Sequence, residues 1–353
     1  MAGKPDKCYR RSQGEDKAVL RPRIRTKGRA LLLTAAVLIF STLAHAQTTK
    51  LKVAYPTIVG SMGALWTTKD TGLFEKYGLD VTLIYIAGSS RIVQAMLAKE
   101  IPIAEIAIPA VAQANLAGAD LVMLAGPNHK PGQKLMVKPA IKKPEDVKGK
   151  KLGVTRFGTS DDFLLRYLLN QWGIQADREV ALLQMGGSPE ILAALGSGGI
   201  DGGMLSSPLN LQAQKLGFNL LGDLSAIGID YQGAGVVTTR STLRESPETL
   251  RSYLKAYVEG LARLKNDKEF SLKVLAKYTR IADREMLEET YRHYAVNVMP
   301  RVPYPTIKGI QLVLDEIAAR NPKARAVTPE SLIDIGFLKE LDSSGFIKKF
   351  YDR

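Results

Sequence analysis

The sequence predicts an α/β protein of two lobes, each built on a mainly parallel sheet flanked by helices. The first of three observations is an internal repeat. Slid back by 99 positions without a gap, Gly187 falls on Gly88, Ser188 on Ser89, Ile191 on Ile92, Ala194 on Ala95, Ile200 on Ile101 and Pro208 on Pro109. At the same offset Gln212, Ala213, Gly217 and Leu220 fall on Gln113, Ala114, Gly118 and Leu121. Second, each copy alternates Gly/Ser loops and helices with short apolar strands, the arithmetic of a parallel α/β sheet. Third, 353 residues at 45% hydrophobic content match two ordinary domains with a core in each.

The chain begins with a segment of its own logic. Residues 1–46 hold ten Lys/Arg against three acids, so half of the formal net charge of +14 sits there. Arg21 to Arg29 is basic, Ala30 to Leu43 is apolar, and Ala44-His45-Ala46 is a small-residue cleavage pattern before Gln47. This predicts an export signal cleaved after Ala46, and a periplasmic product. The apolar run is shorter than the ~20 residues that span a bilayer, which disfavours an uncleaved anchor. A basic region of this length is also compatible with a start nearer Val19 or Leu20. The other lysines are dispersed, without the aromatic-interleaved stripe of a nucleic-acid surface, so no nucleic-acid partner is expected.

After the signal, Leu51 to Tyr55 reads as a strand and Pro56 to Gly63 as a polar loop. A helix from near Met62 to Gly72 follows, then a strand from Asp80 to Ile86. The first repeat copy contains strands Ile103 to Ile108 and Leu121 to Ala125. The proline-bounded connector Pro139 to Pro144 marks a lobe boundary, which places the first part of lobe 1 at 47–137. Lobe 2, 138–235, restarts with the strand Lys151 to Thr155, the loop Arg156 to Ser160 and a helix from Asp161 to Gln171, whose early acids suit its positive end. The strand Glu179 to Met185 and the second repeat copy complete it. A strand Val236 to Thr239 returns the chain to lobe 1, which runs from 236 to 353, so two crossovers are expected. Helices then follow from Ser246, over Lys268 to Tyr278, Asp283 to Val296, Ile307 to Arg320 and Pro329 to Ile335, as packing elements.

Catalytic and metal chemistry find little support. The one cysteine, Cys8, lies within the signal, so the exported chain has no disulfide, no thiolate metal site and no cysteine nucleophile. No HExxH, Ser-His-Asp arrangement or phosphate loop occurs. Of the three histidines, His45 leaves with the signal, His129 lies in the loop NHKPG and His293 falls on a polar-faced helix. The expectation is a chain that is not an enzyme, with neither cofactor nor metal.

The run GLFEKYGLDVTLIYIAGSS, the connector IKKPEDVKGKKLGV, the loop FGTS, the segment GGSPEILAALGSGGIDGG and the stretch VVTTRSTLRESPETLRSYLKAYVEGL together resemble the periplasmic solute-binding proteins of ABC importers. The closer resemblance is to the branch that takes up nitrate, taurine, aliphatic sulfonates or thiamine-precursor pyrimidines. It runs from about Leu51 to the C-terminus. It implies a two-lobed type II periplasmic binding protein fold that closes on a small-molecule ligand and delivers it to an ABC permease, acting as a monomer. A ligand sensor for a membrane receptor is the alternative. A thiamine-pyrimidine biosynthetic enzyme of related fold is disfavoured because its cysteine-rich motif is absent. The chain departs from the family pattern at Lys99 and Pro102, where a Gly and an Asp are usual, which bears on a turn of the first lobe.

The candidate binding residues are those of the loops at strand ends, where ligands gather in such sheets. In lobe 1 they are Tyr55, Thr57, Ser61, Gly88, Ser89, Ser90 and Pro109. In lobe 2 they are Arg156, Phe157, Gly158, Thr159, Ser160, Gly187, Ser188, Ser207 and Pro208. Several precede helices, whose free N–H groups favour an anionic or acceptor-rich ligand. Ser89, Ser188 and Thr159 or Ser160 equally suit helix capping. Arg156 offers a counter-charge; Arg91 reads as solvated. Phe157 is the candidate for stacking on a planar ligand, with Tyr55 as a second aromatic wall, whereas Trp66 suits the core. Sulfonates, carboxylates, nitrate and pyrimidines all remain open.

Overall fold

The computed structural model describes residues 48–352; the predicted signal, its cleavage point and Cys8 lie outside the described residues. The described residues form ten strands: β1 Thr49–Tyr55, β2 Leu79–Tyr85, β3 Ile103–Ala107, β4 Leu121–Ala125, β5 Gln133–Val137, β6 Lys151–Val154, β7 Ala181–Gln184, β8 Gly202–Ser206, β9 Asn219–Asp223 and β10 Ala234–Thr239. They make two mixed sheets of five, in the orders β2-β1-β3-β10-β4 and β7-β6-β8-β5-β9. Helices cover both faces, so the central strands β3 and β8 are buried along their whole length.

The repeat survives in three dimensions. The helices Ser89–Leu97 and Ser188–Gly196, and the strands β3 and β8, are each related by the same offset of 99. Position by position the two sheets have one topology, with β10 in the first where β5 stands in the second. Each of these two strands is antiparallel to its neighbours. The other strands in each sheet run one way, because β1 pairs parallel with β2 and β3, and β6 with β7 and β8.

This arrangement corrects the expected lobe boundary. Gln133–Val137 was assigned to lobe 1, yet it is β5 and pairs with β8 and β9 of the second sheet. The chain therefore crosses before the proline-bounded connector, between β4 and β5. It returns between β9 and β10, and Ala234 and Gly235 already belong to the first sheet. A short antiparallel strand carries no local mark of which sheet it will join.

The C-terminal part is helical, mostly as expected. Pro247–Asn266 buries Leu250, Tyr253, Leu254, Tyr257, Val258, Leu261 and Leu264 along one face. Gly260 on that face lets the helix Gly63–Asp70 approach so closely that a Cβ would collide with Thr68. Trp66 is fully buried and stacks on Tyr278 with ring centroids 4.8 Å apart, a core position as expected. Two spans differ from expectation. Arg284–Tyr291 continues as a π-helix, Arg292–Val298. Pro329–Leu332 is only a 3-10 turn, and an α-helix follows at Gly336–Ser343. Among the described residues no helix is long and apolar enough to cross a membrane.

One core residue breaks the apolar pattern. Glu105, in the middle of β3, is fully buried, and its carboxylate oxygens have no hydrogen-bond partner of normal geometry. Burial pushes its carboxyl up to about 8, with the nearby Tyr257 hydroxyl opposing slightly. A carboxyl that titrates higher folded than unfolded contributes stability that is complete below the unfolded value of 4.5 and is lost as pH rises through 8. The melting temperature should therefore fall between pH 5 and pH 8, and Glu105→Gln should flatten that slope; an unchanged slope in the variant would refute the assignment.

Candidate functional site

The strand ends of both sheets converge on one cavity. Its first wall comes from lobe 1: Pro56, Thr57, Val59 and Ser61 after β1, Gly88 and Ser89 after β2, and Ala107 at the end of β3. The facing wall is Thr155, Thr159, Ser160 and Asp161 after β6, Ser188 after β7 and Ser206 at the end of β8. Asn128, Lys130, Gly132, Gln133, Tyr231, Gly233 and Ala234 come from the two crossovers and the strands they enter, and Tyr294 from the π-helix. The space is about 60 Å³. Direct contacts close the lobes on each other around it.

Three hydrogen bonds hold the walls together directly. Thr57 Oγ1 and Ser188 Oγ are 3.1 Å apart, Gly60 N–H donates to the Ser207 carbonyl at 3.0 Å, and Arg156 Nε donates to the Ala87 carbonyl at 3.0 Å. Tyr85 of lobe 1 packs on Gly187 of lobe 2, where a Cβ would collide with its hydroxyl. Arg156 likewise fills the space beside Gly88, whose φ of +88° suits glycine. On the rim, Lys215 pairs with Asp283 across the lobes.

The site hydroxyls do not cap helices, contrary to one expectation. Ser89 and Ser188 are first residues of their helices, preceded by Gly88 and Gly187, and neither start has a side-chain cap. Ser89 Oγ instead accepts from Ala107 N–H at 3.2 Å, and Ser188 Oγ meets Thr57. Thr159 precedes the helix Ser160–Gln171, but its hydroxyl donates to the Arg156 carbonyl at 2.7 Å and contacts Thr155 Oγ1 at 3.0 Å. Ser160 Oγ accepts from Tyr231 at 2.7 Å. The starts of these three helices therefore reach the cavity without side-chain caps, as partial positive charge.

Two acceptors oppose that field. Asp161 is buried in the wall, with Gln133 Nε2 donating to it at 3.3 Å. Burial pushes its carboxyl up to about 6, Thr155 and Gln133 hold it down, and the neighbouring Asp162 raises it further. Asn128 is 3% exposed; its Nδ2 donates to the Ala234 carbonyl at 2.9 Å, while Oδ1 is buried with no partner. Tyr294 contributes a buried hydroxyl near Ser206. Its neighbour His293 is half-buried rather than on a polar face, and burial lowers its pKa.

Of the sequence-predicted residues, Thr57, Ser61, Gly88, Ser89, Thr159, Ser160 and Ser188 line the cavity. Arg156, Gly187 and Ser207 instead join the lobes beside it. Tyr55 packs into the lobe 1 core, edge-on to Trp66 at 6.0 Å. Pro109 is buried in the first turn of Ile108–Leu116, and Pro208 precedes the helix Leu209–Lys215; neither lines the cavity. Ser90 faces an outer groove that also touches Gly158. Phe157 is 41% exposed and lies 5.6 Å from the Arg166 guanidinium, so the expected stacking wall is a surface residue. Sequence reasoning missed Asn128, Lys130, Gln133, Asp161, Tyr231 and Tyr294. Only Asp161 had a local signal, in the two acids that open its helix. Among the described residues no group of three His, Cys, Asp or Glu is placed to hold a metal.

A closed cleft between two such sheets is the fold of periplasmic binding proteins. The chain is similar to a solved protein of Bordetella bronchiseptica RB50 with a TM-score of 0.76 at 19% identity, covering 84% of this chain and 98% of that one. It is similar to the alkanesulfonate-binding protein SsuA of Xanthomonas axonopodis pv. citri, solved with MOPS, with a TM-score of 0.69 at 19% identity over 82% and 99% of the two chains. The nitrate-binding protein NrtA of Synechocystis PCC 6803 gives 0.68 at 14% identity over 84% and 89%. The sequence pattern of the NMT1/THI5-like family matches residues 61–269, and the chain belongs to that family. A protein of Brucella abortus (strain 2308), itself assigned only provisionally as a binding protein, is 27% identical over 248 residues, 66% of this chain and 74% of its own.

The Gly187–Tyr85 contact isolates closure from folding. Gly187 has φ −131°, which any residue adopts, so Gly187→Val should leave the melting temperature nearly unchanged while wedging the lobes apart. Small-angle scattering should then report a larger radius of gyration than for the unsubstituted protein; equal radii would refute the contact.

Proposed function

We propose that this chain is an exported solute-binding receptor that closes on a small ligand between its lobes and delivers it to the membrane permease of an ABC importer. The observation that carries this reading is the cavity itself, walled by loops from both halves of the repeat and by both crossovers. A site made of two lobes lets ligand binding and closure be one event, since the ligand bridges surfaces that belong to different lobes. Both lobes of the site come from one chain, which supports action as a monomer. The reading as a receptor and not an enzyme draws on the named functions of the sulfonate- and nitrate-binding proteins of the same fold.

The starts of Ser89–Leu97, Ser160–Gln171 and Ser188–Gly196 favour a ligand with an anionic or acceptor-rich group. Hydroxyls of Thr57, Ser61 and Ser160 then fix its orientation. Export follows from the basic, apolar and small-residue order of residues 21–46.

A ligand that binds only the folded, closed form must raise the melting temperature, by about 2.7 kcal/mol of stability at a hundredfold excess over Kd. A panel of alkanesulfonates, carboxylates, nitrate and aminopyrimidines should contain one class that does so. Ser188→Trp, which fills the cavity, should abolish the shift without lowering the ligand-free melting temperature by more than a few degrees. Absence of any shift across the panel, or a shift that survives in Ser188→Trp, would overturn the proposed cleft.

A further inference from the structure

The cavity's donors and acceptors are segregated, and this bears on what the ligand must be. Hydroxyls and uncapped helix starts face it from Ser89 and Ser188. Asn128 Oδ1 faces it without a hydrogen-bond partner, and Asp161 faces it as a buried carboxyl whose donors are neutral. We propose that Asp161 and Asn128 Oδ1 form a subsite for a protonated nitrogen, so that the cleft selects a small dipolar molecule carrying an ammonium or amidinium group as well as an acceptor group. This rests on the reading of the cleft as a ligand site.

The argument is one of unmet demand. A buried carboxylate is normally paired with a cation or coordinates one. Asp161 takes three neutral donor contacts, from Gln133 Nε2 and from the side chain and backbone of Thr155, and the neighbouring Asp162 repels its charge. Asp162 is itself committed elsewhere, to Arg166 Nε at 2.6 Å and Gly158 N–H at 2.9 Å. An unpaired buried amide oxygen is a second cost, because its lost hydration is not replaced. Asn128 is fixed by its Nδ2 bond to Ala234 and by its own carbonyl, which accepts from Gly233 N–H at 2.8 Å, so it does not turn to relieve that cost. One N–H-rich cation reaching both groups relieves both costs together. A ligand with only an anionic group would leave Asn128 unpaired and place a second negative charge near Asp161.

The test is a charge-balanced fragment panel on the purified protein at pH 7.5, read by calorimetry. It contains β-alanine, 2-aminoethanesulfonate and amidinoacetate as dipolar probes. Propanoate and ethanesulfonate lack the nitrogen, and ethylamine and acetamidine lack the acid. Dipolar probes should bind at least tenfold more tightly than either set, and Asp161→Asn should erase that margin while keeping the ligand-free melting temperature. Should Asp161→Asn fail to fold, the unsubstituted protein supplies the second readout. Affinity for dipolar probes should fall at least fivefold from pH 7.5 to pH 5 as Asp161 takes up its proton, while affinity for ethanesulfonate should not. The other ionisable groups that face Asp161 are Asp162 on its own helix, Tyr231, Tyr294 and the rim Lys130; burial pushes both tyrosines well above this range. Nitrogen-free anions binding as tightly as the dipolar probes would overturn the subsite and leave the cleft reading intact. No binding by any probe would overturn both.

Discussion

The structure depends on an exchange of strands between its halves. Each sheet is completed by an antiparallel strand from the far side of a crossover, β10 in the first lobe and β5 in the second. Neither lobe is therefore a continuous stretch of chain, and two connections must run side by side between them. Those connections are bonded to each other. Gly233 N–H donates to the Asn128 carbonyl, Asn128 Nδ2 donates to the Ala234 carbonyl, and Gln232 accepts from Thr306 N–H at 2.8 Å, which ties the pair to the C-terminal helices. The same stretch supplies Asn128, Lys130, Tyr231 and Gly233 to the cavity wall. A ligand thus touches the connections that any relative movement of the lobes must bend.

Polar contacts are only part of what holds the closed arrangement, since one buried apolar cluster includes Ile106 and Val111 of lobe 1 with Phe163 and Leu164 of lobe 2. The three direct hydrogen bonds between the cleft walls are worth about 1 kcal/mol each, net of lost contacts with water, and the Lys215–Asp283 pair on the rim is exposed. A few kcal/mol is the scale over which a ligand's preference for one state redistributes a two-state equilibrium. Small residues set this balance as much as the bonds do. Gly88 accommodates Arg156 and Gly187 accommodates Tyr85, so the lobes approach to backbone distance where larger side chains would hold them apart. The two glycines are the same position in the two copies of the repeat, which makes the close approach a property of the duplicated unit.

Much of this was legible because the repeat keeps its register. Identical residues at a constant offset fixed the paired helices and the paired central strands, and helical spacing of Leu250, Leu254, Val258 and Leu261 marked the long helix of the first lobe. The swapped strands were not legible, since β5 and β10 are short, apolar and compatible with either sheet. In the site, residues of the Gly/Ser loops were found because a strand end followed by a helix start is a local pattern. Asn128, Tyr231 and Tyr294 come from segments far apart in sequence and meet only through the crossovers, so no local pattern announces them. Phe157 failed for the opposite reason: its strand-end position suggested the cleft, but Gly158, at φ +78°, turns beside it, and the ring lies outside against Arg166.

The hydroxyls show how a neutral wall is kept polar without being sticky for one ligand only. Ser89, Thr159 and Ser160 spend their hydrogen bonds on Ala107, Arg156 and Tyr231, which pins the loops and frees the helix starts they were expected to cap. Rigid backbone donors then act on the cavity through fixed partial charges, at no cost in side-chain ordering when a ligand arrives. Against such a background a buried formal charge has disproportionate influence, because only neutral donors contact it directly. Asp161 occupies that position, one residue inside a helix whose positive end favours its ionised form while burial disfavours it. The carboxyl held near 6 is the balance of burial, which raises it, against hydrogen bonds from Thr155 and Gln133, which lower it.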